Sequence, residues 1–165
     1  MPTMENTALK MEASHFLYPG MLIAVDEPGT ITTILGSCVA VCLWDPVQRV
    51  GGMNHYLLPY WNGEGLQTPK YGNVAITTLI DRMLAIGSRR ENLQAKVFGG
   101  ASMLDNSCAF LNIGERNVML ADTALSESRI TVASRNVGGN QGRKIMFMTD
   151  SGDVFMKKIV KRQEG

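Results

Sequence analysis

The chain has 165 residues and a mass of 18.0 kDa, enough for one domain with a proper core and too little for two. Hydrophobic residues make up 45% and charged residues 19%, a globular composition that excludes a disordered or coiled-coil chain. Lys and Arg number 16 against 15 Asp and Glu, and this near-neutral balance sets up no global field for nucleic acid or an acidic membrane.

Residues 1–15 (MPTMENTALKMEASH) read as a polar leader, mobile or draped over the body, with no apolar signal-peptide core; residues 16–165 form a single domain. From Met21 the pattern turns strand-like: MLIAV (21–25), then Asp26-Glu27-Pro28-Gly29 turn chemistry, then the β-branched ITTIL (31–35). After Gly36-Ser37, the run Cys38–Trp44 is apolar at every position and predicts a buried strand; it is too short to span a bilayer. Arg49–Leu58 is a further strand candidate, loosened by Gly51-Gly52 and ended by Pro59, and residues 60–70 form a polar loop.

The stretch 72–86 predicts a helix, because Ile76, Leu79, Ile80, Met83 and Leu84 share one face and Gly87 can cap it. AKVFGGA (95–101) reads as a strand entering a glycine turn, and 113–127 as a second helix. The last third holds strands at Ile130–Arg135, Lys144–Thr149 and Val154–Val160, with Asp150-Ser151-Gly152 making the final pair a hairpin. Runs of strands broken by two helices predict an α+β fold with a mixed or antiparallel sheet.

The sequence lacks a Walker loop, a dinucleotide glycine fingerprint, HExxH, CxxC and GxSxG. Three cysteines without an export signal point to free thiols in a reducing cytoplasm. Cys38 stands at the break after Gly36-Ser37, where main-chain N–H groups of Ser37 and Cys38 can lie outside a ladder and serve a thiolate or an oxyanion. Cys42 sits inside the apolar run, and Cys108 has no basic neighbour. Of the two histidines, His15 belongs to the leader, so an imidazole-dependent mechanism falls to His55.

Cys38 and His55 lie 17 residues apart with the Asp45-Pro46 turn between them, which suits adjacent antiparallel strands. A hydroxyl or carbonyl at Thr32 or Thr33 can orient the imidazole, provided the chain bends at 35–37; fully extended, Thr32 and Cys38 would be ~20 Å apart. A zinc site from Cys38, Cys42, Cys108 and His55 is the rival and lacks paired short ligand spacing. Lys157, Lys158, Lys161 and Arg162 read as a solvated edge strand.

The segments Thr32–Val41 (TTILGSCVAV) and Gly51–Pro59 (GGMNHYLLP) closely resemble the CheD family of chemoreceptor glutamine deamidases. So do FGGASM (98–103), NIGERN (112–117) and VGGN (137–140), and the likeness extends over about residues 20–160. An acidic residue is expected before Val137-Gly138-Gly139, where this chain has Asn136.

The resemblance implies a deamidase domain with nucleophile Cys38, base His55 and orienting threonine Thr32, with Thr33 adjacent. It implies a sandwich of mixed β-sheets with flanking helices, similar to the catalytic domain of cytotoxic necrotizing factor toxins. It implies action on receptor glutamines without a metal or organic cofactor, and a CheC-type phosphatase as a further partner. A docking module without catalysis, and a cysteine peptidase or transglutaminase-like enzyme, are the competing readings of the same residues.

Overall fold

The computed structural model describes residues 13–102 and 112–160. Nine strands form two mixed sheets: β1 (Ala13–Phe16), β2 (Leu22–Val25), β3 (Gly29–Leu35), β4 (Val39–Asp45), β5 (Val50–Asn54), β6 (Gln94–Gly99), β7 (Thr131–Val137), β8 (Arg143–Met148) and β9 (Val154–Lys158). The four-stranded sheet runs β1-β3-β8-β9 and the five-stranded sheet β2-β5-β4-β6-β7. In each sheet one pair is parallel, β1 with β3 and β6 with β7, and the others are antiparallel. The helices are α1 (Gly72–Ala85) and α2 (Ile113–Glu127), and a 3-10 turn at Arg90–Asn92 precedes β6.

Two apolar cores define three layers. Ile31, Leu35, Ala40, Cys42, Met53, Phe98, Ile145 and Phe147 close the space between the sheets. On the other side of the larger sheet, Val39, Val41, Leu43, Ala95 and Val97 meet Ile76, Leu79, Ile80 and Met83 of α1 and Leu120, Ala121 and Leu125 of α2. Both helices therefore flank the same sheet. Alternate residues of β4 supply the two cores, which is why that strand is apolar at nearly every position. Each fully buried Leu or Ile contributes about 1.5–3 kcal/mol, so α1 is held by its stripe rather than by a side-chain cap, which Tyr71 does not provide.

Two expectations need correction. The polar leader does not run to residue 15: Ala13–Phe16 pairs in parallel with β3, in register from Ala13↔Gly29 to Phe16↔Thr32. As an edge strand it has alternating half-buried and exposed residues rather than an apolar run. The strand expected over Arg49–Leu58 ends as β5 at Asn54: His55 and Tyr56 keep single contacts in the same register, and Leu57 and Leu58 turn to a new partner. His55 N–H goes to Met21 O, Tyr56 bridges to Val39, and the N–H groups of Leu57 and Leu58 both go to Lys70 O. The loop 60–70 thus returns to the chain directly after His55.

Lys157 and Lys158 lie exposed on β9, an edge strand, while Lys161 and Arg162 fall outside the described residues. Among the described residues no helix is long and apolar enough to cross a membrane.

Gly99 ends β6 with φ +109°, and a Cβ there would sit 2.2 Å from the carbonyl oxygen of Cys38. Gly114 opens α2 against the same turn, where a Cβ would come within 2.4 Å of Ala101 O. Gly99→Ala combines left-handed strain with a main-chain clash, so it is expected to destabilise the fold by about 2 kcal/mol or more. Urea unfolding measures this, and an unchanged midpoint would contradict the packing described.

Candidate active site

The antiparallel pairing of β4 with β5 places the two candidate reactive groups. The register Cys42↔Met53 continues unshifted to the bridge Val39↔Tyr56, so Ala40 stands opposite His55 and Cys38 lies diagonally across from it on the same face. That face looks into the space between the sheets, where Cys38 packs against the inner core. Tyr56, one residue on, points the other way into the helix-side core. Between the ladder and the bridge, the N–H of Val41 is met by the side chain of Asn54, Oδ1 at 2.9 Å.

His55 is 1% exposed, and its ring is held from the opposite sheet: Thr33 Oγ1 lies 2.7 Å from Nδ1. The same hydroxyl donates to Leu17 O at 2.7 Å. A hydroxyl has one proton, and a carbonyl oxygen can only accept, so Thr33 must accept from Nδ1–H. The neutral ring is therefore protonated on Nδ1, with its lone pair on Nε2. Nε2 is buried and, among the described residues, has no hydrogen-bond partner, Cys38 included.

The hydroxyl on the imidazole belongs to Thr33 and not to Thr32. Along β3 burial alternates so that Ile31, Thr33 and Leu35 face the interior, while Thr32 belongs to the outer face. What Thr32 contributes is its carbonyl, which accepts from Leu17 N at 2.8 Å and so holds the segment whose own carbonyl anchors Thr33. Residues 32–38 do not run as one extended strand: after Leu35 the chain passes from β3 in one sheet to β4 in the other.

Cys38 is half-buried at the start of β4. The carbonyls of residues 36–38 are all engaged: Ala101 N–H donates to Gly36 O at 3.0 Å, Asn117 Nδ2 to Ser37 O at 3.0 Å and Gly100 N–H to Cys38 O at 2.9 Å. Among the described residues, no main-chain acceptor takes the N–H of Ser37 or Cys38. Burial pushes the Cys38 thiol above its ordinary value, opposed by a hydrogen bond from its own main-chain amide. Cys42 is fully enclosed, and burial raises its thiol far more strongly despite the charge of Lys96. Of these two thiols, Cys38 alone has an approach from solvent.

Burial lowers the His55 imidazole from 6.5 to about 4, so at neutral pH the site holds a neutral thiol beside a neutral imidazole. The Gly99–Ala101 turn walls the Cys38 side, and Tyr18–Met21 backs the imidazole, with Gly20 N–H on His55 O at 2.8 Å. Met103 and Cys108 fall outside the described residues. Among the described residues, no three His, Cys, Asp or Glu side chains converge as a metal site needs. Neither Leu17 nor Asn117 stands out from composition or spacing; Asn117 was visible only as the last residue of NIGERN.

The unfolded chain binds a proton at His55 near 6.5 and the folded chain only near 4. Folding stability is therefore undiminished above pH 6.5 and is lost as pH falls from about 6.5 to about 4, by roughly 3 kcal/mol in all. Denaturant titrations across this range should show the loss in wild type and a shallower slope in His55→Gln. Nitrogen-15 spectra should show the neutral Nδ1–H tautomer of His55 from pH 5 to 8. A ring that titrates near 6.5 would contradict the burial described.

Residues 57–158 match the family model for CheD chemotactic sensory transduction. A Trichlorobacter lovleyi protein named probable chemoreceptor glutamine deamidase CheD is 55% identical over 142 residues, covering 86% of this chain and 88% of that one. A protein of the same name from Sulfurimonas denitrificans is 45% identical over 149 residues, covering 90% of this chain and 96% of that one. Among solved structures, the Bacillus licheniformis hypothetical protein YfiH aligns with 72% of this chain and 49% of its own at 15% identity, with a TM-score of 0.44, too slight a likeness to bear on the fold. The family match spans both helices and the Gly99–Ala101 turn beside the Cys38 segment, and the chain belongs to the CheD family.

Proposed function

We propose that this protein is a chemoreceptor glutamine deamidase in which Cys38 is the nucleophile, His55 the base and Thr33 the residue that orients it. The observation that carries the reading is the Thr33 hydroxyl shared between Leu17 O and His55 Nδ1, which leaves the lone pair on Nε2, buried and without a partner among the described residues. An imidazole protonated on the outer nitrogen would have no base to offer the thiol.

The chemistry follows from those groups. As the receptor glutamine enters, Nε2 takes the thiol proton and Sγ bonds to the side-chain amide carbon, giving a tetrahedral oxyanion. The N–H groups of Ser37 and Cys38 stabilise that oxyanion. The imidazolium returns its proton to the amide nitrogen, the C–N bond breaks, and ammonia leaves a thioester. Water then gives one proton to Nε2 and attacks the thioester carbon, the C–S bond breaks, and the departing sulfur takes the proton back. The receptor side chain leaves as glutamate. No step calls on a metal or organic cofactor.

The reaction occurs in the cytoplasm on the cytoplasmic part of methyl-accepting chemotaxis receptors, and a CheC-type phosphatase is a further partner in this reading. The two mixed sheets with an inter-sheet cysteine also support the likeness to the catalytic domain of cytotoxic necrotizing factor toxins. The site is less open than a surface triad: the thiol is half-buried and the imidazole lies beneath it. Loop 60–70 and the turn after Gly99 are its walls.

Incubation of a purified receptor with wild-type protein should convert glutamine to glutamate by mass spectrometry, and Cys38→Ala should abolish conversion while unfolding within about 1 kcal/mol of wild type. Thr33→Val should lower kcat by about 10- to 100-fold, whereas Thr32→Val should stay within about twofold. The reverse order would return the orienting role to Thr32. No conversion of any cognate receptor would favour the docking module, and backbone cleavage or amine incorporation would favour the peptidase or transglutaminase reading.

A further inference from the structure

We infer that Asn117 is a positioning residue that fixes the separation of Cys38 and His55; this deepens the deamidase reading and rests on it. Asn117 lies on α2, outside the layer where the reaction takes place, and is fully buried. Its Nδ2 donates to Ser37 O at 3.0 Å and to Leu57 O at 2.9 Å. Its main-chain carbonyl accepts from Tyr56 Oη at 2.7 Å. One residue thus ties the neighbour that precedes the nucleophile to the two residues that follow the base.

The bonds close around the one place where β4 and β5 meet outside their regular ladder. There Val39 and Tyr56 exchange both main-chain bonds, at 3.1 and 3.0 Å, and Cys38 and His55 flank that exchange on the opposite face. Widening it would move the sulfur away from the imidazole, and among the described residues the amide of Asn117 is what spans it from the helix side. Two carbonyls need two donors, and a primary amide nitrogen carries two protons. An aspartate would present acceptors to acceptors, and an aliphatic side chain would leave both carbonyls buried without partners.

The remaining atom supports the same role. Asn117 Oδ1 is buried with no partner among the described residues, a cost that an apolar residue at this helix position would avoid. The amide is thus explained by what its nitrogen holds. Positional errors of an ångström in a reacting pair cost about a hundredfold in rate, so the tie acts on turnover more than on substrate capture.

The test is a double-mutant cycle in the full chain, on Asn117→Ala, His55→Ala and the double variant, reading kcat for deamidation and the rate at which iodoacetamide alkylates Cys38, assigned by peptide mass spectrometry. With His55 present, Asn117→Ala should lower both rates about tenfold or more with KM within about twofold; in the His55→Ala background it should change them less than twofold. Equal losses in both backgrounds, or no loss in either, would overturn the inference. Leu125→Ala on the same helix removes packing without touching the site, and a matching drop in kcat there would reduce Asn117 to a structural residue.

Amide exchange at Val39 and Tyr56 reads the tie itself and should quicken about tenfold in Asn117→Ala; unchanged exchange overturns the inference whatever the enzyme assay gives. If Asn117→Ala does not fold, Tyr56→Phe removes only the hydroxyl on the Asn117 carbonyl and should shift the same readouts in the same direction, and unaltered readouts there count against the inference. Loss of all deamidation in wild type, with exchange still altered, would sink the enzyme reading and not the clamp.

Discussion

A threonine hydroxyl has one proton, and at Thr33 it goes to the carbonyl of Leu17. This fixes the direction of the next bond, from His55 Nδ1–H to the same oxygen, and hence the tautomer of the ring and the location of its lone pair. The chain from Leu17 through Thr33 to His55 crosses from one sheet to the other. The two sheets must be stacked for the imidazole to serve as the proposed base towards Cys38, so the proposed pair belongs to the sandwich as a whole and not to the β4–β5 strands that carry it.

Placement between the sheets has an electrostatic consequence. Apolar neighbours such as Ile31, Leu35, Met53 and Phe147 surround the inner layer and offer no charge to stabilise an imidazolium or a thiolate. Burial therefore drives the two groups in opposite directions, the ring down and the thiol up, and both are neutral at rest. The site is not a preformed ion pair. In the proposed reaction, charge appears only when the sulfur attacks, and the first opposite charge it meets is the proton it has just surrendered to His55.

Much of this was legible in the residues. The run Cys38–Trp44 is apolar throughout because β4 has a core on each side, and the stripe on α1 matched its face on the larger sheet. The spacing of Cys38 and His55 carried over into the register because the turn at Asp45 closes cleanly: its carboxylate caps the N–H groups of Val47 and Gln48. The choice between Thr32 and Thr33 was not legible. Two adjacent threonines on a strand point to opposite faces, and which face is inner depends on where the second sheet lies. For β1, an edge strand with one parallel partner needs no continuous apolar run, so its residues look like leader. Asn117 was hidden for another reason: its partners are main-chain carbonyls, which leave no trace in side-chain patterns.

In the proposed deamidase, the neutral resting state and the half-buried thiol would together let a cysteine act on a protein side chain with little competing chemistry. Oxidants and stray electrophiles react with thiolate, and Cys38 holds its proton through neutral pH because burial raises it. Activation needs a carbonyl carbon at the sulfur, N–H groups from Ser37 and Cys38 on its oxygen, and Nε2 within reach of the thiol proton. Since Nε2 makes no hydrogen bond among the described residues, that last contact would in this reading form as the electrophilic carbon reaches the sulfur. A glutamine extended from a helix can reach such a notch by its side chain alone, while the polypeptide behind it stays on the surface.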